Sequence, residues 1–442
     1  MPGADILISQ GAPDGLKMGE GWTDLYEDLR SKLGLRKRHF MDMGPGEREL
    51  FTRATDALRE RFVSDVLGRG ELEEARSWVG ELRRCEAELG EVLGIKGIFY
   101  TRELKSFISD PVAHLKKKIF VYTFDLLSGK MGLGEFERKA SAALRTSLRT
   151  NMRSVYQTWV FLKLLALMAL KGPSRLLYPE HGLLYVERSG RQRMGSIPPN
   201  CVISGPSGSL SFFLEVPRPI AWEDSKDLSR VWKFYVALRP DMMVYGGVVM
   251  DIADPANDPP IIRPDFVVEC KELSDWYERV RDLKGRFSRP LSAEEWRILW
   301  LKGLWDGLAE AMGVRRKEVI RMFREEKSVR LKEAKLVQLY KSIYRPDGMA
   351  LVSRAEVPGE VRGELEEHGI TVYDGVGFRG EKLEELAELL LGMARRTGEP
   401  DLLAEAARLI GLPNVDRRAL AAAILELVSE KAEDLRSRLA DG

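Results

Sequence analysis

The chain has 442 residues, 44% of them hydrophobic and 31% charged, with a formal net charge of +1. That length calls for two or three folded units rather than one small domain. The near-zero charge argues against a uniformly basic surface, so any contact with nucleic acid must rest on local basic patches.

The three cysteines, Cys85, Cys201 and Cys270, are far apart and form no CxxC pair, which argues against a disulfide framework or a structural zinc. A charged share weighted to Arg and Glu leans towards a thermophilic source. No run of roughly 18 apolar residues and no signal-peptide pattern occurs, so a soluble cytoplasmic protein without membrane contact is expected.

From about Trp22 to Leu148, apolar residues recur at three- and four-residue intervals, as in "GERELFTRATDALRERFVSDVL". This predicts successive helices, with glycine breaks at "GRGE" and "GIKG" and a short strand near "GIFY". Residues 1–146 therefore read as an N-terminal helical domain. Ser147 to Lys171 predicts a long helix that is apolar nearly all round in "WVFLKLLALMALK", as suits burial against a sheet. Strands are expected in "GLLYVERSG", "SLSFFLEVP", "WKFYVALRPDMMVYGGVVM" and "IIRPDFVVECKEL". A helical segment follows over 291–345. The stretch "GMALVSRAEVPGEVRGELEEHGITVYDGVGF" then reads as strand, short helix and strand, a β-α-β unit with parallel pairing. Residues 147–380 are thus expected to form an α/β domain with a helical insertion at 289–328. Residues 381–442 form a C-terminal helical segment.

Two Arg-Pro-Asp triplets stand at Arg239–Asp241 and Arg263–Asp265, on either side of the turn-rich "DIADPANDPP". In a hairpin that sets Asp241 opposite Glu269, the centre of the reversal falls at residue 255, inside "DPAND". A rise of roughly 3.3 Å per residue puts Asp265 about 13 Å from Glu269, too far for both to hold one metal ion. Asp241 can lie within several ångströms of Glu269 across the strands. Two carboxylates with open positions suit Mg²⁺ or Mn²⁺. Lys271, on the same strand face as Glu269, can orient an attacking water or neutralise charge on a phosphate. A solvated strand face with paired charges would carry the same residues.

Asp241, followed by Glu269-Cys270-Lys271 at the end of an apolar strand, resembles the PD-(D/E)xK motif of restriction-endonuclease-like nucleases. The resemblance covers roughly Leu148–Phe378 and implies a restriction-endonuclease-like αβββαβ core flanked by N- and C-terminal helical domains. It makes Asp241, Glu269 and Lys271 the catalytic set. The segment "VYQTWVFLKLLALMAL" resembles the first core helix of McrC-like and RecB-like nucleases, where a glutamate completes the metal site. Here Gln157 holds that position, an amide that can coordinate through its oxygen but supplies no charge. Glu215, in "SFFLEVP", is the alternative to Gln157 expected for that ligand position. Gln338 resembles the glutamine of the RecB-like second core helix, without the usual QxxxY spacing.

Arg145, Arg149 and Arg153 recur every four residues towards Gln157, and Lys335 and Lys341, with Lys332 and Arg345, give the later helix a similar stripe. Such stripes track phosphates, or are simply solvated helix faces. "LAEAMGVRRKEVIRMF", residues 308–323, has helix-turn-helix spacing, with Gly313 at the turn and Arg315, Arg316 and Lys317 opening the second helix. An ordinary αα corner fits that pattern as well.

The function these residues imply is a metal-dependent DNA endonuclease, in restriction, defence or repair. A nuclease-fold protein that binds DNA or scaffolds a complex without cutting is the alternative, and an RNA-cleaving or CRISPR-associated effector is a third. DNA is the expected partner, with RNA, a second copy of the chain and a separate ATPase subunit left open.

Overall fold

The computed structural model describes residues 21–32, 43–186, 197–216, 239–254, 261–282, 308–324 and 330–395. Helices come first: α1 (Trp22–Lys32), α2 (Pro45–Ala54) and α3 (Asp56–Leu93). The short strand β1 (Gly97–Phe99) leads to α4 (Arg102–Ser109), α5 (Pro111–Lys118), α6 (Phe120–Leu127) and α7 (Leu133–Leu170). Local chemistry sets several of these ends. Gly94 closes α3 in a left-handed conformation, φ 63°. Asp110 caps α5 by accepting the Ala113 N–H at 3.0 Å, with Pro111 in the first turn.

The strands are β2 (Arg175–Tyr178), β3 (Leu183–Tyr185), β4 (Cys201–Gly205), β5 (Gly208–Leu214), β6 (Met242–Gly246) and β7 (Phe266–Lys271). Then follow β8 (Val280–Asp282), α8 (Arg316–Arg324), β9 (Arg330–Lys332), α9 (Glu333–Tyr344) and β10 (Gly348–Ser353). The described chain ends with α10 (Gly359–Glu367), β11 (Thr371–Tyr373) and α11 (Glu384–Gly392). Seven strands form one mixed sheet in the order β11-β10-β7-β6-β5-β4-β2. Pairing is antiparallel from β2 through to β7, and parallel among β7, β10 and β11. The parallel β10-α10-β11 unit is the one its spacing predicts.

Strand alternation divides the core in two. Phe212, Met242, Val244, Val268 and Cys270 face the cluster built with α3, α7 and α11. Phe213, Met243, Val267, Met349 and Leu351 face the cluster built with α9. The result is three layers, helix on sheet on helix. No helix among the described residues is long and apolar enough to cross a membrane. All three cysteines are free and buried.

Several expectations change. The long helix starts at Leu133 rather than Ser147, so the boundary drawn at residue 146 falls inside α7. The N-terminal helices and the sheet share one hydrophobic cluster and do not separate there. The step in apolarity near Ser147 marks a change of neighbours along one continuous helix. Strands β2 and β4 were not anticipated, and β3 pairs with β1 outside the main sheet. Residues 330–332, expected to be helical, form β9 against β8. Of the expected helical insertion, residues 308–324 are described. Gly313 (φ 64°) turns the chain there, with Ala309 and Val319 buried and Val314 half-buried, a geometry that a helix-turn-helix and an ordinary αα corner share. From the C-terminal segment α11 packs on α7, and residues 396–442 lie outside the described residues.

His114, on α5, is buried against α7, its Nε2 3.2 Å from Ser147 Oγ and its ring edge-on to Phe107. Burial, helped by the charge of Lys118, pushes its pKa down from 6.5 to about 4. A histidine with a depressed folded pKa contributes stability that is present above about 6.5 and lost as pH falls towards 4. Urea midpoints should therefore fall between pH 7 and pH 4.5, and His114→Gln should show a shallower fall over the same range.

Candidate active site

The register Met242↔Val268, Met243↔Val267 and Val244↔Phe266 sets Asp241 opposite Glu269, one step beyond the last backbone pair. The predicted centre at residue 255 lies outside the described residues. At this end of the sheet the carboxylates replace ladder groups. The Cys270 N–H donates to Asp241 Oδ2 at 2.7 Å, and the Asp241 N–H donates to Glu269 Oε2 at 3.1 Å. Asp265 serves elsewhere: it accepts the Gly246 N–H at 2.7 Å and pairs with Arg395.

β7 is buried along its whole length, and Glu269 and Lys271 alternate with Cys270 onto the α9 side. Lys271 Nζ donates to Glu269 Oε1 and to Glu333 Oε2, both at 2.9 Å, and lies 5.8 Å from the centre of the Trp276 ring. Glu333 is the first residue of α9, so that helix starts on the lysine. From α7, Gln157 Nε2 donates to Asp241 Oδ1 at 2.7 Å. Glu215 follows β5 with φ 49°, and its N–H donates to the Asp241 carbonyl at 2.9 Å.

Burial dominates the electrostatics. It raises the Asp241 pKa against the opposing charge of Lys271. Burial and then the Asp241 charge push Glu269 up to about 7, again opposed by Lys271. For Lys271, burial works to lower the pKa, but Glu269 and Glu333 outweigh it and the net shift is upward. At neutral pH the lysine is the fixed cation, and the adjacent carboxylates repel each other.

These groups lie in a cleft of about 480 Å³ that also takes in Arg149, Arg153, Arg239, Arg279 and Glu272. Of the residues singled out from sequence, Asp241, Glu269, Lys271, Gln157, Glu215, Arg149 and Arg153 meet there. Arg145 lies in an adjoining groove that shares Arg149, and it donates to the Val66 carbonyl at 2.9 Å.

The basic stripe expected on α9 does not reach the cleft. Gln338 is buried, donating to Glu364 Oε1 at 3.1 Å, while Lys335 pairs with Glu364 and Lys341 donates to the Gly369 carbonyl at 3.2 Å. These side chains dock α9 on α10 and the turn after it. Arg315 and Lys317 are exposed and Arg316 is half-buried at the start of α8; none of the three lines the cleft.

Among the cleft residues that sequence reasoning missed are Glu333, Arg239 and Trp276. An acid in the first turn of a helix usually answers the helix dipole, which hides the role of Glu333. Arg239 stood in plain view, in the triplet that frames Asp241.

Among the described residues no three His, Cys, Asp or Glu side chains converge in a metal-holding group. Asp241 and Glu269 are a two-carboxylate donor set, which amide, backbone or water oxygens would have to complete. No family model matches the chain, and neither the curated proteins nor the solved structures contain a match to it.

Removing Lys271 leaves Glu269 and Glu333 buried together without a cation. Lys271→Met should cost about 3–5 kcal/mol at pH 8. Both carboxylates would then have folded pKa values above their unfolded ones, so stability regained at low pH is lost as pH rises. Urea denaturation should show a smaller penalty at pH 5 than at pH 8.

Proposed function

We propose that this chain is a divalent-metal-dependent nuclease that hydrolyses DNA phosphodiester bonds, built on a restriction-endonuclease-like core. One observation carries the reading: Asp241, just before β6, hydrogen-bonds to Glu269, 28 positions away on β7, and both meet Lys271 at one end of the sheet beside Gln157. With β2–β4 set aside between α7 and β5, and β8, α8 and β9 between β7 and α9, the order α7, β5-β6-β7, α9, β10, with β10 parallel to β7, matches the one the resemblance implies.

The donor set suits Mg²⁺ or Mn²⁺. Asp241 and Glu269 offer hard carboxylate oxygens whose mutual repulsion a dication relieves, and the amide of Gln157 can present its oxygen instead of its NH₂. When bound, such an ion lowers the pKa of a water molecule and offsets charge on the phosphate. Lys271, kept protonated by Glu269 and Glu333, supplies a fixed positive charge for the phosphate oxygens. Glu333 and Trp276 hold the ammonium in place, and Arg149 and Arg153 carry the neighbouring backbone charge, which makes binding salt-dependent.

A second reading is favoured by one feature. The network Glu269–Lys271–Glu333 and the Gln157–Asp241 hydrogen bond are already closed among protein groups, as suits a nuclease-fold protein that binds DNA without cutting it.

Labelled DNA and RNA incubated with Mg²⁺, Mn²⁺ or EDTA separate these readings. Cleavage should need the metal and fall by at least about a hundredfold in Asp241→Asn and Glu269→Gln, variants that keep hydrogen-bonding groups in place. Binding without cleavage under every metal condition would support the second reading, and cleavage confined to RNA would overturn the choice of DNA. Gln157→Glu adds the charge the site lacks, and should lower the Mg²⁺ concentration for half-maximal rate by roughly tenfold.

A further inference from the structure

The cleft holds two arginines outside the set of Asp241, Glu269 and Lys271. Arg153 stands one turn before Gln157 on α7, and Arg239 stands two residues before Asp241, beyond Pro240. Both are half-buried and both line the cleft. The Nε of Arg153 is buried and has no hydrogen-bond partner among the described residues.

Among the described residues neither guanidinium has a carboxylate within ion-pair distance. Other arginines of this chain are treated differently. Buried Arg59 donates to the carbonyls of Thr52, Thr55 and Lys116, and Arg279, in the same cleft, pairs with Asp275. Two guanidinium groups thus line the same cleft, with donor capacity that no acceptor among the described residues uses. A guanidinium fork so placed matches the oxygens of a phosphate.

We propose that Arg153 and Arg239 form a phosphate subsite that grips a phosphate group of the substrate strand next to the one held at Asp241 and Glu269. The placement beside the scissile group rests on the nuclease reading; the affinity for phosphate does not. Arg153 lies about 5–6 Å along the helix face from Gln157, the residue that touches Asp241. Arg239 is at most about 7 Å along the chain from Asp241 itself. These separations are of the order of those between neighbouring phosphates on one strand. The phosphate is either an internal diester or a terminal monoester.

The test is binding in EDTA, where no cleavage occurs. Two short single-stranded oligonucleotides, one with a 5′-phosphate and one with a 5′-hydroxyl, are titrated into the full chain by fluorescence anisotropy. Each of Arg153→Ala and Arg239→Ala should weaken binding by about ten- to a hundredfold. Each should also reduce the salt slope by about one, while Arg239→Lys recovers part of the affinity. A loss confined to the 5′-phosphorylated strand assigns the subsite to a terminal phosphate, and an equal loss on both assigns it to a diester. Unchanged affinity in folded Ala variants overturns the proposal, as does failure of the wild type to bind either strand. If the arginine dependence holds but Mg²⁺ never elicits cleavage, the nuclease reading fails and the subsite stands. If cleavage proceeds with the wild-type KM in both Ala variants, the subsite fails and the nuclease reading stands.

Discussion

A lysine buried between two glutamates organises this protein. Lys271 is the last residue of a strand with no exposed position, and an ammonium taken that far from water costs several kcal/mol unless it is matched. Glu269 supplies one match from the same strand, and Glu333 supplies the other from the start of α9. The second contact fixes where the helix begins on its face of the sheet, and α9 leads directly into β10, the parallel neighbour of β7. One ion triad therefore ties the centre of the sheet to the layer above it.

The opposite layer depends on α7. Its first half packs on the N-terminal helices, and its second half lies between those helices and the sheet. At 38 residues it spans about 57 Å, and Arg149, Arg153 and Gln157 sit near its middle. The helical region and the sheet thus share a single rod, and the cleft opens where that rod passes the start of β6 and the end of β7.

The parts of the site that were legible in the sequence were those set by regular geometry. Asp241 faces Glu269 because antiparallel register is arithmetic, and turn-forming residues marked its midpoint. Gln157 was legible from the segment around it. Glu333 was not, because its contact with Lys271 joins positions 62 apart through the docking of a helix, and no local period records that. The basic stripe on α9 misled for a related reason. Periodicity places Lys335 and Gln338 on a face, but only the packing of α10 reveals that Glu364 covers it. In the fold, the change in apolarity at Ser147 suggested a boundary, where a continuous helix had only exchanged one set of neighbours for another.

Asp241 belongs to the sheet and to the cleft at once, since its carboxylate accepts the Cys270 N–H that the next backbone carbonyl of a longer β6 would otherwise take. A ligand that draws this carboxylate outward must loosen that amide. The Cys270 amide proton is therefore a built-in reporter. Its exchange rate and chemical shift follow the orientation of the Asp241 side chain, and so register occupancy of the site in a protein that has not turned over.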